Sequence, residues 1–328
     1  MMKSLSSLRF ILIVMIFLHH CNLYQGGGDL AVTGFFILSG FLITCGYGKR
    51  IDTSSFSYRQ YILRRVFRIV PLHWLCLCVS VLLIWHAGML KTVSLSDFAV
   101  NMFLLQSYVP SHDIYYSFNS PSWFLSSLFL FYILFPYLYR KRSYAWLLFV
   151  AYAILIFVVP QKYTMWTFYI CPLVRLADCL LGMYLAILCE RKIQSHTYTS
   201  DYIIVLLITF QIIISQMIPT EISLHACVYW PLYVLIFVLV GTKQASRGFL
   251  SNNYLSTLGS YVFEIYLVHQ ICITMVSMAL CRFDLYSTWL VCIVSIVVTV
   301  IVSWLVHRFF TTPIFVSASN RFGLHQRC

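Results

Sequence analysis

Charge is what this sequence has least of. Only 10% of its 328 residues are Asp, Glu, Lys or Arg, against 61% that are hydrophobic, and the mean hydropathy is +0.84. Soluble domains carry about 25% charged residues, so this composition excludes a soluble globular protein. Acids are scarcer still, 10 against 22 basic residues. The 12 cysteines contain no C-x-x-C pair; neither a zinc site nor a disulfide framework is indicated, and they read as small hydrophobes. A G-x-S-x-G nucleophile elbow is also missing, as are an internal repeat and a low-complexity tail.

What remains is apolar helix. A membrane-spanning helix needs about 20 mostly apolar residues, and ten stretches qualify: Leu8–Tyr24, Leu30–Gly48, Val70–Met89, Ser122–Tyr139, Ala145–Pro160, Pro172–Cys189, Tyr202–Ile218, Leu224–Gly241, Gly259–Leu280 and Ser287–Phe310. The expected fold is therefore all-α and polytopic. The first stretch resembles a secretory signal, but Arg9 interrupts it and no small-residue cleavage site follows, so it reads as a span. Most basic residues fall on one set of loops and tails, among them Lys49, Arg50, Arg59, Arg64, Arg65, Arg68, Arg140, Lys141 and Arg142; the opposite set holds Lys91, Lys162 and Arg282. The positive-inside rule then places both termini in the cytoplasm. The net charge of +12 is thus a topology signal and a contact for lipid headgroups, with no nucleic acid required. The connection from Leu90 to Pro121 is expected to fold over the outer mouth.

The span and break from Leu8 to Phe41 organise the rest. Arg9, His19 and His20 share one span, and an ionisable group inside a membrane is a functional-site hypothesis by default. Arg9 and His20 lie about three turns apart on one face. Histidine suits a general base because it titrates near working pH; the bland alternative is a snorkelling arginine and an interfacial histidine. Arg65 and Arg68, at i and i+3, are neighbours that form a clamp for phosphates, or serve only as positive-inside charge. Ser39 and Gly40, in the run Phe35–Phe41, point to close helix packing. Trp123 opens the fourth span at aromatic-belt depth. Arg175 and Asp178 read as an internal pair, structural or catalytic. Glu264 and His269 add an acid and another membrane histidine; alone, His269 reads as a satisfied core residue.

Taken together, these pieces resemble the acyltransferase 3 family of integral-membrane O-acyltransferases acting on bacterial surface polysaccharides. The resemblance rests on R-x10-H (Arg9…His20), F-F-x-L-S-G-F (Phe35–Phe41), R-x-x-R followed by I-x-P (Arg65, Arg68, Ile69, Pro71), the W-F-L-S opening of a span, P-L-x-R-L-x-D (Pro172–Asp178) and the run Ser260–His269. It implies one membrane domain over residues 1–328, with no appended soluble domain, in a bacterial cytoplasmic membrane. It also implies acyl transfer, commonly of acetyl from acetyl-CoA, to a hydroxyl of a glycan or its lipid-linked precursor. No permanently bound cofactor or metal is implied. His20 matches the essential histidine, Arg9 its partner, and Arg65 and Arg68 the motif on the CoA side. Thr33, Leu128 and Thr311 stand where members often carry other residues, glutamates at the last two. Asp178 and Glu264 are left as acids to orient a base, with Trp123, Arg175 and His269 as orienting residues. A transporter or flippase using the buried Arg and His would call for matched Gly/Pro-broken spans in two halves, and the GGGD break occurs once. A non-catalytic scaffold for polysaccharide assembly is the other alternative.

Overall fold

The computed structural model describes residues 2–24, 27–53, 55–89, 92–192, 201–241 and 249–324. Every regular element among them is helical. The helices of eight or more residues are α1 (Met2–His20), α2 (Gly27–Asp52), α3 (Tyr58–His86), α4 (Leu95–Met102), α5 (Ser122–Arg140), α6 (Leu147–Val158), α7 (Pro172–Lys192), α8 (Asp201–Met217), α9 (Trp230–Gly241), α10 (Asn253–Ser260), α11 (Val262–Arg282), α12 (Thr288–Val306) and α13 (Thr312–Phe322). Seven stretches are long and apolar enough to cross a membrane. Three shorter apolar ones, Arg142–Val158, Ile203–Met217 and Trp230–Gly241, coincide with the remaining expected spans. Helices α6 and α9 have 12 residues each, about 18 Å against a hydrocarbon core of about 30 Å. Proline sets these limits: α6 stops short of Pro160, and Pro219 begins the short turns that precede α9. Of the basic residues that set the expected topology, Lys91, Lys243, Arg247 and Arg327 lie outside the described residues.

The chain forms two compact units, interleaved in sequence. The first comprises Met1–Ser54, Tyr137–Tyr169 and Leu173–Val262; the second comprises Ser55–Pro136, Ile170–Pro172 and Phe263–Cys328. In the first, α2 and α7 touch backbone to backbone. A Cβ on Gly40 would overlap the carbonyl of Cys179, and one on Gly182 would overlap that of Ile37. Ser39 Oγ donates to the Phe35 carbonyl at 2.7 Å, within its own helix. The F-F-x-L-S-G-F run is therefore a packing device. Gly40→Val is expected to leave little folded protein, since overpacking alone costs about 1–3 kcal/mol and here a backbone must move; wild-type yield and melting temperature after detergent extraction would refute this.

The second unit shows the membrane pattern on α12. Ser295, Thr299 and Ser303 are buried, while Trp289, Ile293, Val297 and Ile301 are exposed. Polar hydroxyls face protein and hydrocarbon side chains face outward, as a lipid solvent demands. The connection before α5 is built structure. Ser94 and Asp97 form a capping box on α4, His73 Nε2 lies 2.8 Å from the Asn101 carbonyl, and Trp74 Nε1 donates to Met102 at 2.9 Å.

Candidate active site

Helix α1 ends where the sequence changes from apolar to polar. Asn22 adopts φ +58°, a left-handed conformation that asparagine tolerates. The Leu23 amide then donates to the Leu18 carbonyl and the Asn22 amide to that of His19, both at 3.0 Å, which closes a Schellman turn. His20 is thereby the last helical residue, half-buried and at the corner leading to α2. The His19 ring abuts Gly28 of α2, with Nδ1 3.3 Å from the Tyr24 carbonyl. Adjacent in sequence, the two rings meet edge to face at 5.5 Å. Arg9 lies about 16 Å from His20 along the helix axis.

The expected Arg175–Asp178 pair forms in the first unit, and both residues are 1% exposed. Arg175 Nη1 donates to Asp178 Oδ2 at 2.7 Å and to Thr33 Oγ1 at 3.3 Å, and Nε donates to the Tyr169 carbonyl at 2.8 Å. Its guanidinium also lies over the rings of Phe36 and Tyr169, at 5.1 and 5.0 Å. Trp230 Nε1 donates to Asp178 Oδ1 at 2.6 Å. Nothing in the sequence pairs Trp230 with Asp178, 52 residues away.

In the second unit, α3 presents three arginines in little more than a turn. Arg64 is buried, and its Nε donates to the Leu324 carbonyl at 2.9 Å. Gly323, at φ +62°, makes this possible by turning the chain after α13. Arg65 lies 5.7 Å from the ring centres of Tyr61 and Tyr132. Arg68 sits over Phe263 at 5.0 Å and pairs with Glu264, Nη1 to Oε1 at 3.1 Å and Nη2 to Oε2 at 3.4 Å. Glu264 is fully buried in the first turn of α11 and also accepts from His307, whose Nδ1 lies 3.0 Å from Oε1. The sequence reading passed over His307; its one signal is Pro313. Lacking an N–H to give the Phe309 carbonyl, Pro313 goes with a π-helical widening over His307–Thr311. Such widenings recur at functional sites.

Trp123 is 4% exposed, not displayed at an interface, and Ser107 Oγ in the folded connection donates to its backbone carbonyl at 2.8 Å. His269 is fully buried, with Nδ1 2.6 Å from the Tyr266 carbonyl. Since a carbonyl only accepts, Nδ1 carries the proton. Tyr266 Oη donates to the Pro121 carbonyl at 2.9 Å, and Asn119 Nδ2 to that of Leu267. His269 and Trp123 thus belong to one framework that fastens the connection before α5 to α11. Within that connection, burial and then the Asp113 carboxylate raise the Tyr115 phenol above its ordinary pKa, so it stays a hydrogen-bond donor at neutral pH.

Comparison with known proteins bears on this geometry. Residues 2–308 match the acyltransferase 3 family, described as an acyltransferase domain. The chain is also similar to Acyltransferase MdmB of Streptomyces mycarofaciens, 27% identical over 267 residues, covering 74% of this chain and 67% of that protein. No solved structure matches. A multi-pass helical protein matched over nearly its whole length in this way is a membrane acyltransferase, and the chain belongs to the acyltransferase 3 family.

Proposed function

We propose that the protein transfers an acetyl or other short acyl group from acyl-CoA to a hydroxyl of a cell-surface carbohydrate or its lipid-linked precursor. It acts in the bacterial cytoplasmic membrane, with both termini cytoplasmic. A sugar hydroxyl attacks a thioester poorly until a base takes its proton, and that assistance is worth about 10²–10⁴-fold. His20 is the base. Arg9, about 16 Å away on the same helix, holds the phosphate end of the donor while an extended pantetheine arm reaches toward His20. Arg65 and Arg68 bind the donor, Asp178, held by Arg175, is the acid that orients the base, and Trp123, Glu264 and His269 are orienting residues. The observation that carries this reading is the match of residues 2–308 to an acyltransferase domain in a helical chain whose first helix ends on His20.

Free thiol released from acetyl-CoA by membranes containing the protein, with and without cell-envelope glycans, tests the reading. Release that depends on glycan is the expected result. Absence of release with every glycan fraction would refute an acyl-CoA donor.

A further inference from the structure

Glu264 has an unusual position for an acid in an apolar helix. Its carboxylate is fully buried, yet both partners that hold it reach the surface: the side chains of Arg68 and His307 are 32% and 30% exposed. An anion approaching this edge therefore meets guanidinium and imidazole, with the carboxylate hidden beneath them. Arg68 commits one N–H of each terminal nitrogen to Glu264 and keeps the rest of its five-donor fork. Arg65 stands one turn away, held between Tyr61 and Tyr132. Among the described residues, one acid against two arginines leaves the cluster positive, and protonation of His307 adds to that charge. With Nδ1 turned to the carboxylate, the proton on that nitrogen is fixed and the ring is oriented.

We propose that Arg65, Arg68 and His307 form a phosphate-binding site, with Glu264 as its positioning residue. This rests on the acyl-CoA reading above and deepens it: His307, as an imidazolium with Nδ1–H on Glu264 and Nε2–H on the anion, is a third ligand for the phosphates of the nucleotide portion of the donor. Glu264 holds Arg68 and the imidazole toward the same anion and offsets charge that would otherwise be costly beside an apolar helix. His307 opens the π-helical turn that precedes α13 and meets Glu264 of α11.

The test compares coenzyme A with pantetheine, which lacks the phosphates, binding to the full-length protein in nanodiscs. His307→Gln and Arg68→Lys are each expected to weaken coenzyme A about tenfold or more, the loss of one charge-assisted hydrogen bond, and to leave pantetheine unchanged. Equal loss of both ligands would make the cluster a structural clasp and overturn the proposal, as would undiminished coenzyme A binding by His307→Gln. If the variants instead lose only a stabilisation conferred by phosphatidylglycerol over phosphatidylcholine nanodiscs, the site takes lipid phosphate and the donor assignment falls. Wild-type protein that binds pantetheine but not coenzyme A refutes this site, while one that binds neither refutes the acyl-CoA reading itself. Should a variant fail to fold, diethylpyrocarbonate footprinting of the wild-type protein decides: coenzyme A and pyrophosphate protect His307 and pantetheine does not, and failure of coenzyme A to protect it contradicts the proposal.

Discussion

Replacing His20 by alanine is expected to lower acyl transfer by about 10²–10⁴-fold, the typical contribution of a general base, with the protein still inserted and abundant. The fold should bear the change. Alanine is the best helix former, and the Schellman turn after His20 is made by backbone groups of Leu18, His19, Asn22 and Leu23. His19→Ala removes a ring that abuts Gly28, so its effect should fall on melting temperature and leave most of the activity. Acyl transfer by the two variants in matched membranes checks this. Equal loss of activity in both would refute a single catalytic histidine.

The second large effect concerns Arg175 and Asp178. Breaking a buried ion pair by removing one partner costs about 3–5 kcal/mol, so Arg175→Ala and Asp178→Ala should each leave little folded protein. Exchanging the two residues is not expected to restore the site. An aspartate at 175 would face the Tyr169 carbonyl, acceptor against acceptor. An arginine at 178 would face the Trp230 N–H, donor against donor. The informative variant removes both charges together, Arg175→Met with Asp178→Leu, because well-packed apolar replacement of a buried pair is often neutral or stabilising. It is expected to recover protein level and melting temperature but not acyl transfer. Full activity in that double variant would show that the pair only holds the first unit together.

The sequence made local relations readable and distant ones not. Arg175 and Asp178 are three residues apart, so helical geometry brings them together, and they meet at 2.7 Å. The same spacing makes Arg65 and Arg68 neighbours, and Gly40 announces close packing through the residue it lacks. Glu264 and His307 are 43 residues apart, and Arg64 and Leu324 260; only tertiary folding brings such pairs together. Hydropathy also counts apolar residues without counting turns. Residues 224–241 therefore read as one span, whereas the helix occupies Trp230–Gly241. Trp123 opens its span where an aromatic belt is expected, yet it is buried in the fold.

The account is tested most directly by the fate of the acyl group. Membranes containing wild-type protein, given acetyl-CoA labelled in the acetyl group together with cell-envelope glycan, should place the label on the glycan as a hydroxide-labile ester, with an equal amount of free thiol released. His20→Ala membranes with the same amount of protein should place almost none. Label that reaches the glycan equally well without His20, or that never leaves coenzyme A in the wild type, would contradict the account.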